Sequence, residues 1–340
     1  MNESFIGADI GGTKTLLRLV QMTGGLAQVQ HEEQYNSRSY TSLSDILKDF
    51  LGSVWMRDGH CELGAACFAA AGPVSNQSVS LTNLTWSIDV AAIGAEFSIP
   101  RVKIINDFAA VAIGIESLHK SDLITLQTGR PEVRGARVAL GAGTGMGVSW
   151  MTWQGGHYRI LATEAGHMDF APSSELQNRL IEHLWKEFGH VSYERVLSGP
   201  GLINIFNFLQ SSIGLSSGLL KAEMDNDGAS QVTDLALNRK HPIAVKALDL
   251  FVEIYGAYAG NLALAGLTWG GVYVAGGIAP KIINKLGEGI FMRSFRSKGR
   301  YSEMMSEIPV CVVMNQKVGL IGAVEESRRM MDPKSEIWPG

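Results

Sequence analysis

Phe5-Ile6-Gly7-Ala8-Asp9-Ile10-Gly11-Gly12-Thr13 is a short β-prone apolar run that ends on a glycine pair and a hydroxyl residue. The design recurs at Val138-Ala139-Leu140-Gly141-Ala142-Gly143-Thr144-Gly145-Met146-Gly147-Val148 and at Val272-Tyr273-Val274-Ala275-Gly276-Gly277-Ile278-Ala279-Pro280. More β-like residues follow the first two, from Thr15 to Val20 and from Val148 to Met151. Each is therefore expected to be a strand–turn–strand unit whose glycines supply the positive φ of a tight hairpin. A helical pattern with Pro280 near its start follows the third, a favoured place for proline. One copy early and one near mid-chain point to an architecture built twice.

Helical patterns lie between these units. Leu176, Leu180, Ile181, Leu184 and Phe188 share one helical face, with Ser174 placed to cap it, and a second helix is expected from Leu43 to Val54. Val102-Lys103-Ile104-Ile105 reads as a strand running into Asn106-Asp107 and then a small-residue helix from Phe108 to Ile115. The stretch from Gly214 to Gly228, rich in Gly, Ser and Asp, is expected to be a mobile loop. Strands alternating with helices make this an α/β fold.

Length and composition exclude several classes. A chain of 340 residues suits two domains at roughly 150 residues each. Its 46% hydrophobic and 18% charged residues supply large cores and exclude a disordered chain. The formal charge of −4, without a long Lys/Arg cluster, argues against nucleic acid as a partner. Cys61, Cys67 and Cys311 form neither a CxxC pair nor an even framework, which fits a reducing compartment, and Cys67 sits in an apolar run as a small buried residue. The N-terminus lacks the charged n-region and long apolar stretch of a signal peptide. Ile254 to Pro280 contains no charged residue, but seven glycines interrupt it. It reads as a buried helix, a break at Leu267-Thr268-Trp269-Gly270-Gly271, and a buried strand, not as a membrane span.

Certain residues can carry chemistry. Each glycine hairpin presents backbone N–H groups and a hydroxyl, Thr13 or Thr144, in a concavity that suits phosphate oxygens; an ordinary turn is the alternative for either alone. Asp9, on the incoming strand, can hold Mg²⁺ directly or through water. No GxxxxGK(S/T) occurs, and the alternating Gly141, Gly143, Gly145 and Gly147 do not fit GxGxxG, which disfavours a P-loop or Rossmann site. Asp107 is either a helix cap or a carboxylate at the carboxyl edge of a sheet, where α/β ligands bind. Glu164-Ala165-Gly166-His167-Met168-Asp169 gathers three titratable groups, readable as part of a metal site or as a structural loop. Glu194 alone reads as a first-turn helix residue.

Taken in order, these motifs resemble the bacterial glucokinases, members of the superfamily that unites sugar kinases, actin and heat-shock chaperone ATPases. The resemblance runs nearly end to end. It begins with Gly7-Ala8-Asp9-Ile10-Gly11-Gly12-Thr13-Lys14, Leu81-Thr82-Asn83-Leu84-Thr85-Trp86, Ile104-Ile105-Asn106-Asp107-Phe108 and Gly141-Ala142-Gly143-Thr144-Gly145. It continues through 164–172, Gly189-His190-Val191-Ser192, 194–201 and Ala275-Gly276-Gly277-Ile278. It implies a two-domain ribonuclease H-like (actin-like ATPase) sugar kinase fold with an interdomain cleft. The small α/β domain would span 1–117 plus 315–333, and the large one 118–314. The implied reaction is ATP-dependent phosphorylation of the glucose 6-hydroxyl in the cytoplasm, the first step of glycolysis. Carried over residue by residue, Asp107 is the general base, and Asp9 lies near Mg²⁺ and the phosphates. Gly11, Gly12, Thr13, Gly143, Thr144 and Gly145 hold phosphoryl oxygens of ATP, and Gly276 and Gly277 approach the adenosine. Asn106, Glu164, His167 and Glu194 bind the remaining sugar hydroxyls. Family members are often homodimers, so a homodimer is a state the resemblance allows.

Two departures stand out. Ala165 occupies a place where the family commonly has a second glycine, so a methyl is expected beside Glu164 and His167. The cysteine-rich zinc motif of the related repressor-and-kinase group is absent, and no helix-turn-helix extension precedes Phe5. Three alternatives are a kinase of mannose, fructose or an N-acetylhexosamine, a non-catalytic sugar-binding regulator, and an ATPase that works by conformational change. Asp9 and Asp107 together argue against the regulator, and the hydroxyl-binding residues at 164–194 argue against the ATPase.

Overall fold

A computed structural model describes residues 3–58, 61–72, 74, 77–81, 84, 86–212 and 228–331. Thr82, Asn83 and Thr85 of one quoted motif, and residues 214–227 of the expected loop, lie outside the described residues. The chain divides into two compact units, residues 1–119 with 317–340, and residues 120–316.

In the first unit the strands are β1 (Glu3–Ile10), β2 (Lys14–Thr23), β3 (Leu26–Asn36), β4 (Leu63–Ala70) and, beyond a small hairpin of β5 (Ser78–Ser80) and β6 (Ser87–Asp89), β7 (Val102–Asn106). They form a sheet in the order β3-β2-β1-β4-β7, with β1, β4 and β7 parallel and β1, β2 and β3 an antiparallel meander. Its helices are α1 (Leu43–Asp58), α2 (Val90–Phe97), α3 (Asp107–Ile115) and the C-terminal helix Val318–Met331. Period-2 alternation along β1 sorts the faces. Ile6, Ala8 and Ile10 pack with Ile46, Leu47 and Phe50 of α1. Phe5 faces the opposite way, in a cluster with Val324 of the C-terminal helix.

The second unit repeats the plan. Its strands are β8 (Leu123–Gln127), β9 (Arg137–Ala142), β10 (Met146–Gln154), β11 (His157–Thr163), β12 (Gly271–Ala275) and β13 (Val310–Val313), in the order β11-β10-β9-β12-β13-β8. A meander of β9, β10 and β11 is again followed by parallel β12 and β13, and β8 adds an antiparallel edge. The helices are α4 (Glu175–Phe188), α5 (Gly199–Ser212), α6 (Gly228–Leu237), α7 (Pro242–Gly266), α8 (Ile283–Gly287), α9 (Ile290–Arg296) and α10 (Ser302–Glu307). The sequence-level duplication is thus a duplication of sheet topology.

Ser174 caps α4, accepting from Gln177 N–H, and Leu180, Ile181 and Leu184 are buried as its periodicity requires. The uncharged stretch at 254–280 is the buried end of α7, a left-handed cap at Leu267, and β12. Among the described residues no helix is long and apolar enough to cross a membrane. Cys61, Cys67 and Cys311 are all free thiols, and Cys67 is fully buried.

One expectation is corrected. None of Gly11, Gly12, Gly143 and Gly145 adopts a left-handed backbone. The turns close instead by single hydrogen bonds, Gly11 N–H to Lys14 O at 2.9 Å and Gly143 N–H to Gly145 O at 2.8 Å. Positive φ therefore does not explain glycine at these places.

Candidate active site

The first unit gathers its candidate residues at the carboxyl edge of β1, β4 and β7. Asp9 pairs in register with Ala69 and Ala69 with Ile105, so Asn106 and Asp107 emerge two strands from Asp9, about 10 Å away at strand spacing. Asp9 lies on the face of β1 that meets the C-terminal helix: a Cβ on Gly319 would stand 3.0 Å from its Oδ2. Burial raises the Asp9 carboxyl to about 6, with the Lys14 ammonium pulling it back only in part.

The turn after β1 is fixed from a distance. Ser37 donates its N–H to Thr13 O at 3.0 Å and its hydroxyl to Gly11 O at 2.8 Å, and Thr15 Oγ1 meets that hydroxyl at 2.9 Å. Thr13 itself is exposed. Nothing in the local sequence marks Ser37 for this role, since it lies 26 residues from Gly11.

At the start of α3 the cap is Asn106, not Asp107. Asn106 Oδ1 accepts from Phe108 N–H at 2.9 Å and Ala109 N–H at 3.2 Å, while its Nδ2 donates to Gly72 O at 3.4 Å. Asp107 is the first helical residue, and its Oδ1 accepts from Phe108 N–H at 2.8 Å. The capping position is thus Asn106, and Asp107 adds one bond to a first-turn N–H from inside the helix.

In the second unit, β9 and β12 run parallel and their following turns lie side by side. Ala275 pairs with Gly141, Ile278 N–H donates to Ala142 O at 3.2 Å, and Gly276, at φ +83°, has no room for a Cβ beside Ala142 O. Gly199, at the N-terminus of α5, donates its N–H to Gly143 O at 2.8 Å, which brings the positive end of that helix to the turn. A Cβ on Gly143 or Gly277 would meet nothing within 4 Å, and neither residue is left-handed. The fold alone does not demand glycine at these two positions.

The two loops that carry Glu164 and His167 on one side and Glu194 on the other are joined by an antiparallel pairing. Phe170 N–H donates to Val191 O and Tyr193 N–H to Met168 O, both at 2.9 Å, around the bridge from Asp169 to Ser192. Glu164 precedes the short 3₁₀ turn Ala165–His167 and His167 ends it, and both are exposed; Glu194 is half-buried in the 3₁₀ turn Tyr193–Arg195. A metal reading finds no support among the described residues, where no three His, Cys, Asp or Glu side chains cluster to hold an ion. Ala165 turns its methyl into the core of the second unit. Helix α7 braces both loops: Tyr258 donates to Ala165 O at 2.6 Å and stacks on Tyr193 at 3.8 Å, and Asn261 Nδ2 donates to Tyr193 Oη at 3.0 Å. Tyr258 and Asn261 escape a motif reading because each is an ordinary helix position of α7, the first buried and the second exposed.

The family model described as Glucokinase matches residues 6–330. The chain belongs to the glucokinase family. It is 42% identical over 345 residues to the glucokinase of Synechocystis sp., covering 95% of this chain and 97% of that protein. Among solved structures, it is similar to the glucokinase from an Antarctic psychrotroph, with TM-score 0.82, 29% identity, and coverage of 96% of this chain and 99% of that one. It also shares its fold with a ROK family glucokinase from Streptomyces griseus, in complex with glucose and AMPPNP, at TM-score 0.64 and 20% identity over 96% of this chain and 99% of that one. The two-unit α/β architecture is accordingly that of the actin-like ATPase sugar kinases.

Proposed function

We propose that this chain transfers the γ-phosphoryl group of ATP to the 6-hydroxyl of glucose, with Asp107 as the general base. The observation that carries the assignment is the position of Asp107. Its carboxylate stands at the carboxyl edge of a parallel sheet, at the start of α3, while Asn106 makes the cap. In this reading Asp107 takes the proton of the 6-hydroxyl as that oxygen bonds to the γ-phosphorus and the bond to the ADP oxygen breaks. A base of this kind contributes about a hundred- to ten-thousandfold. The family membership and the glucose and AMPPNP bound by the Streptomyces griseus protein support this choice of substrates.

The remaining candidates take supporting roles. The turns of Gly11, Gly12 and Thr13 and of Gly143, Thr144 and Gly145 hold the phosphates through the N–H groups beyond the two, of Gly11 and Gly143, that close them, and through the two threonine hydroxyls, aided by the dipole of α5. The open space over Gly143 and Gly277 is what close approach of a nucleotide requires. Asn106 Nδ2, Glu164, His167 and Glu194 serve the other hydroxyls, and a site built on such pairs rejects analogues that leave its buried polar groups unpaired. With the Ala165 methyl in the core, this departure leaves the hydroxyl ligands unobstructed.

Asp9 fits a divalent cation. Its carboxylate is partly buried and under-compensated, and Mg²⁺ needs only one or two protein carboxylates beside water and phosphate oxygens. When bound, Mg²⁺ neutralises charge on the phosphoryl oxygens. The free thiols support placing the enzyme in the cytoplasm, and phosphorylation of glucose would place it at the entry to glycolysis.

The test is Asp107→Asn assayed with Mg-ATP across glucose, mannose, fructose and N-acetylglucosamine. Glucose binding should persist while turnover falls at least about a hundredfold. Turnover within a few-fold of the parent would remove Asp107 from the chemistry. A parent enzyme that prefers another hexose would keep the mechanism and change the substrate.

A further inference from the structure

Glu194 does more than face a ligand. Its Oε2 accepts the N–H of Met146 at 2.9 Å, and Met146 is the residue immediately after the Gly143-Thr144-Gly145 turn. A Cβ on Gly145 would lie 2.5 Å from the same Oε2, so the carboxylate rests directly on the turn. The other side of Met146 is occupied as well. Its carbonyl oxygen would be 1.9 Å from a Cβ on Gly166, so it abuts the 3₁₀ turn that presents Glu164 and His167. One backbone unit, Met146, is thus held by Glu194 on its N–H side and pressed against the 164–167 turn on its C=O side.

We propose that Glu194 is a positioning residue for the nucleotide-binding turn, and that hexose and nucleotide binding are coupled through its carboxylate. This rests on the reading of 143–145 as a phosphate turn and of Glu194 as a hydroxyl ligand. A carboxylate can accept about four hydrogen bonds, so Oε2 can hold Met146 while Oε1 accepts from a sugar hydroxyl. The Tyr193–Tyr258 stack and the Asn261 bond fix the backbone beside Glu194, so the side chain has little freedom to serve one partner without registering the other. A hydroxyl bound at Oε1 orders the carboxylate, and the ordered carboxylate holds the Met146 N–H and the turn before it. The coupling is reciprocal by necessity.

The test titrates the full chain with AMP-PNP without sugar and with glucose without nucleotide, in Glu194→Ala, Glu194→Gln, Gly145→Ala and the Gly145→Ala/Glu194→Ala double variant. Loss of a charge-assisted hydrogen bond predicts that Glu194→Ala weakens AMP-PNP about ten- to a hundredfold. Glu194→Gln, whose Oε1 can still accept from Met146, should keep AMP-PNP binding and lose glucose affinity only. Gly145→Ala, a change within the nucleotide turn, should weaken glucose about tenfold or more and have no further effect on glucose once Glu194 is alanine. The inference is overturned if Glu194→Ala leaves AMP-PNP binding within about twofold, or if Gly145→Ala spares glucose. A merely structural role would weaken AMP-PNP in Glu194→Gln and Glu194→Ala alike, which also overturns it. A parent chain that binds neither ligand overturns the proposed function itself, and this inference with it.

Discussion

Asp9 is held at a cost that the rest of the first unit covers. Its carboxyl is raised by burial to about 6 from an ordinary 3.8, so the folded chain binds that proton more tightly than the unfolded chain does. The stability this proton contributes is fully present below pH 3.8 and is lost as pH rises through about 6. Asp9→Asn should therefore melt at a higher temperature than the parent near neutral pH, in metal-free buffer, while turnover collapses. Its melting temperature should also lose the downward slope the parent shows between pH 3.8 and about 6. Thermal scans of both proteins across that range decide the matter; a parallel pair of curves would mean Asp9 is already paired. Such a gain in stability with loss of activity is the usual mark of a strained functional group. Single-residue chemistry was only half legible in the sequence. Asp9 announces itself by sitting before a glycine pair. Asp107 could not be separated from a cap, because the difference between Asn106 and Asp107 as the capping residue is one of backbone angle, which the dipeptide itself does not specify.

At the scale of elements, the C-terminal helix is what places both carboxylates of the first unit. It crosses α3 with glycine on each side: a Cβ on Gly322 would sit 1.8 Å from Ala110 O, and one on Gly114 would sit 2.1 Å from Val318 O. Backbones that close leave no slack, so the start of α3 and hence Asp107 is set by this crossing. The first turn of the same helix presents Gly319 to Asp9, and farther along Ser327 donates to Ile6 O at 2.6 Å. Gly322→Ala should cost about 1–3 kcal/mol, as overpacking does, and lower the melting temperature by several degrees. Because the crossing also aims Asp107, kcat should fall; calorimetric melting with steady-state kinetics reads both. Strands flanking a glycine turn were legible because period-2 apolar runs and glycine clusters are local signals. The helix crossing was not, since Gly114 and Gly322 carry their meaning only against each other. The left-handed hairpin glycines failed for a related reason: a glycine in ordinary backbone reads the same as one kept for φ.

For the whole molecule, the chain enters the second unit at residue 120 and returns at 317. Entry and exit are tied together. Strands β8 and β13 are antiparallel partners, Met314 N–H donates to Asp122 O at 2.8 Å, and Asn315 Nδ2 donates to Asp122 Oδ1 at 3.3 Å. The second unit therefore closes on itself without the ends of the chain, around one extensive core of its own. The first unit cannot do so, because Val324, Met330 and Met331 complete the layer over Phe5, Val20 and Ala65, and Ala323 packs with Ala69 and Ala110. Lys103 and Glu326, paired at 2.5 Å, stitch the same returning helix to β7. Two cores with separate memberships predict two cooperative units. Hydrogen exchange in rising guanidinium should show 318–331 losing protection together with β1, β4 and α3, at a midpoint distinct from that of β9, β10 and α7. Gly322→Ala should move the first midpoint and leave the second in place. If 318–331 instead exchanged independently of β1, the returning helix would be a peripheral strap, and its glycine crossing could not be what fixes Asp107.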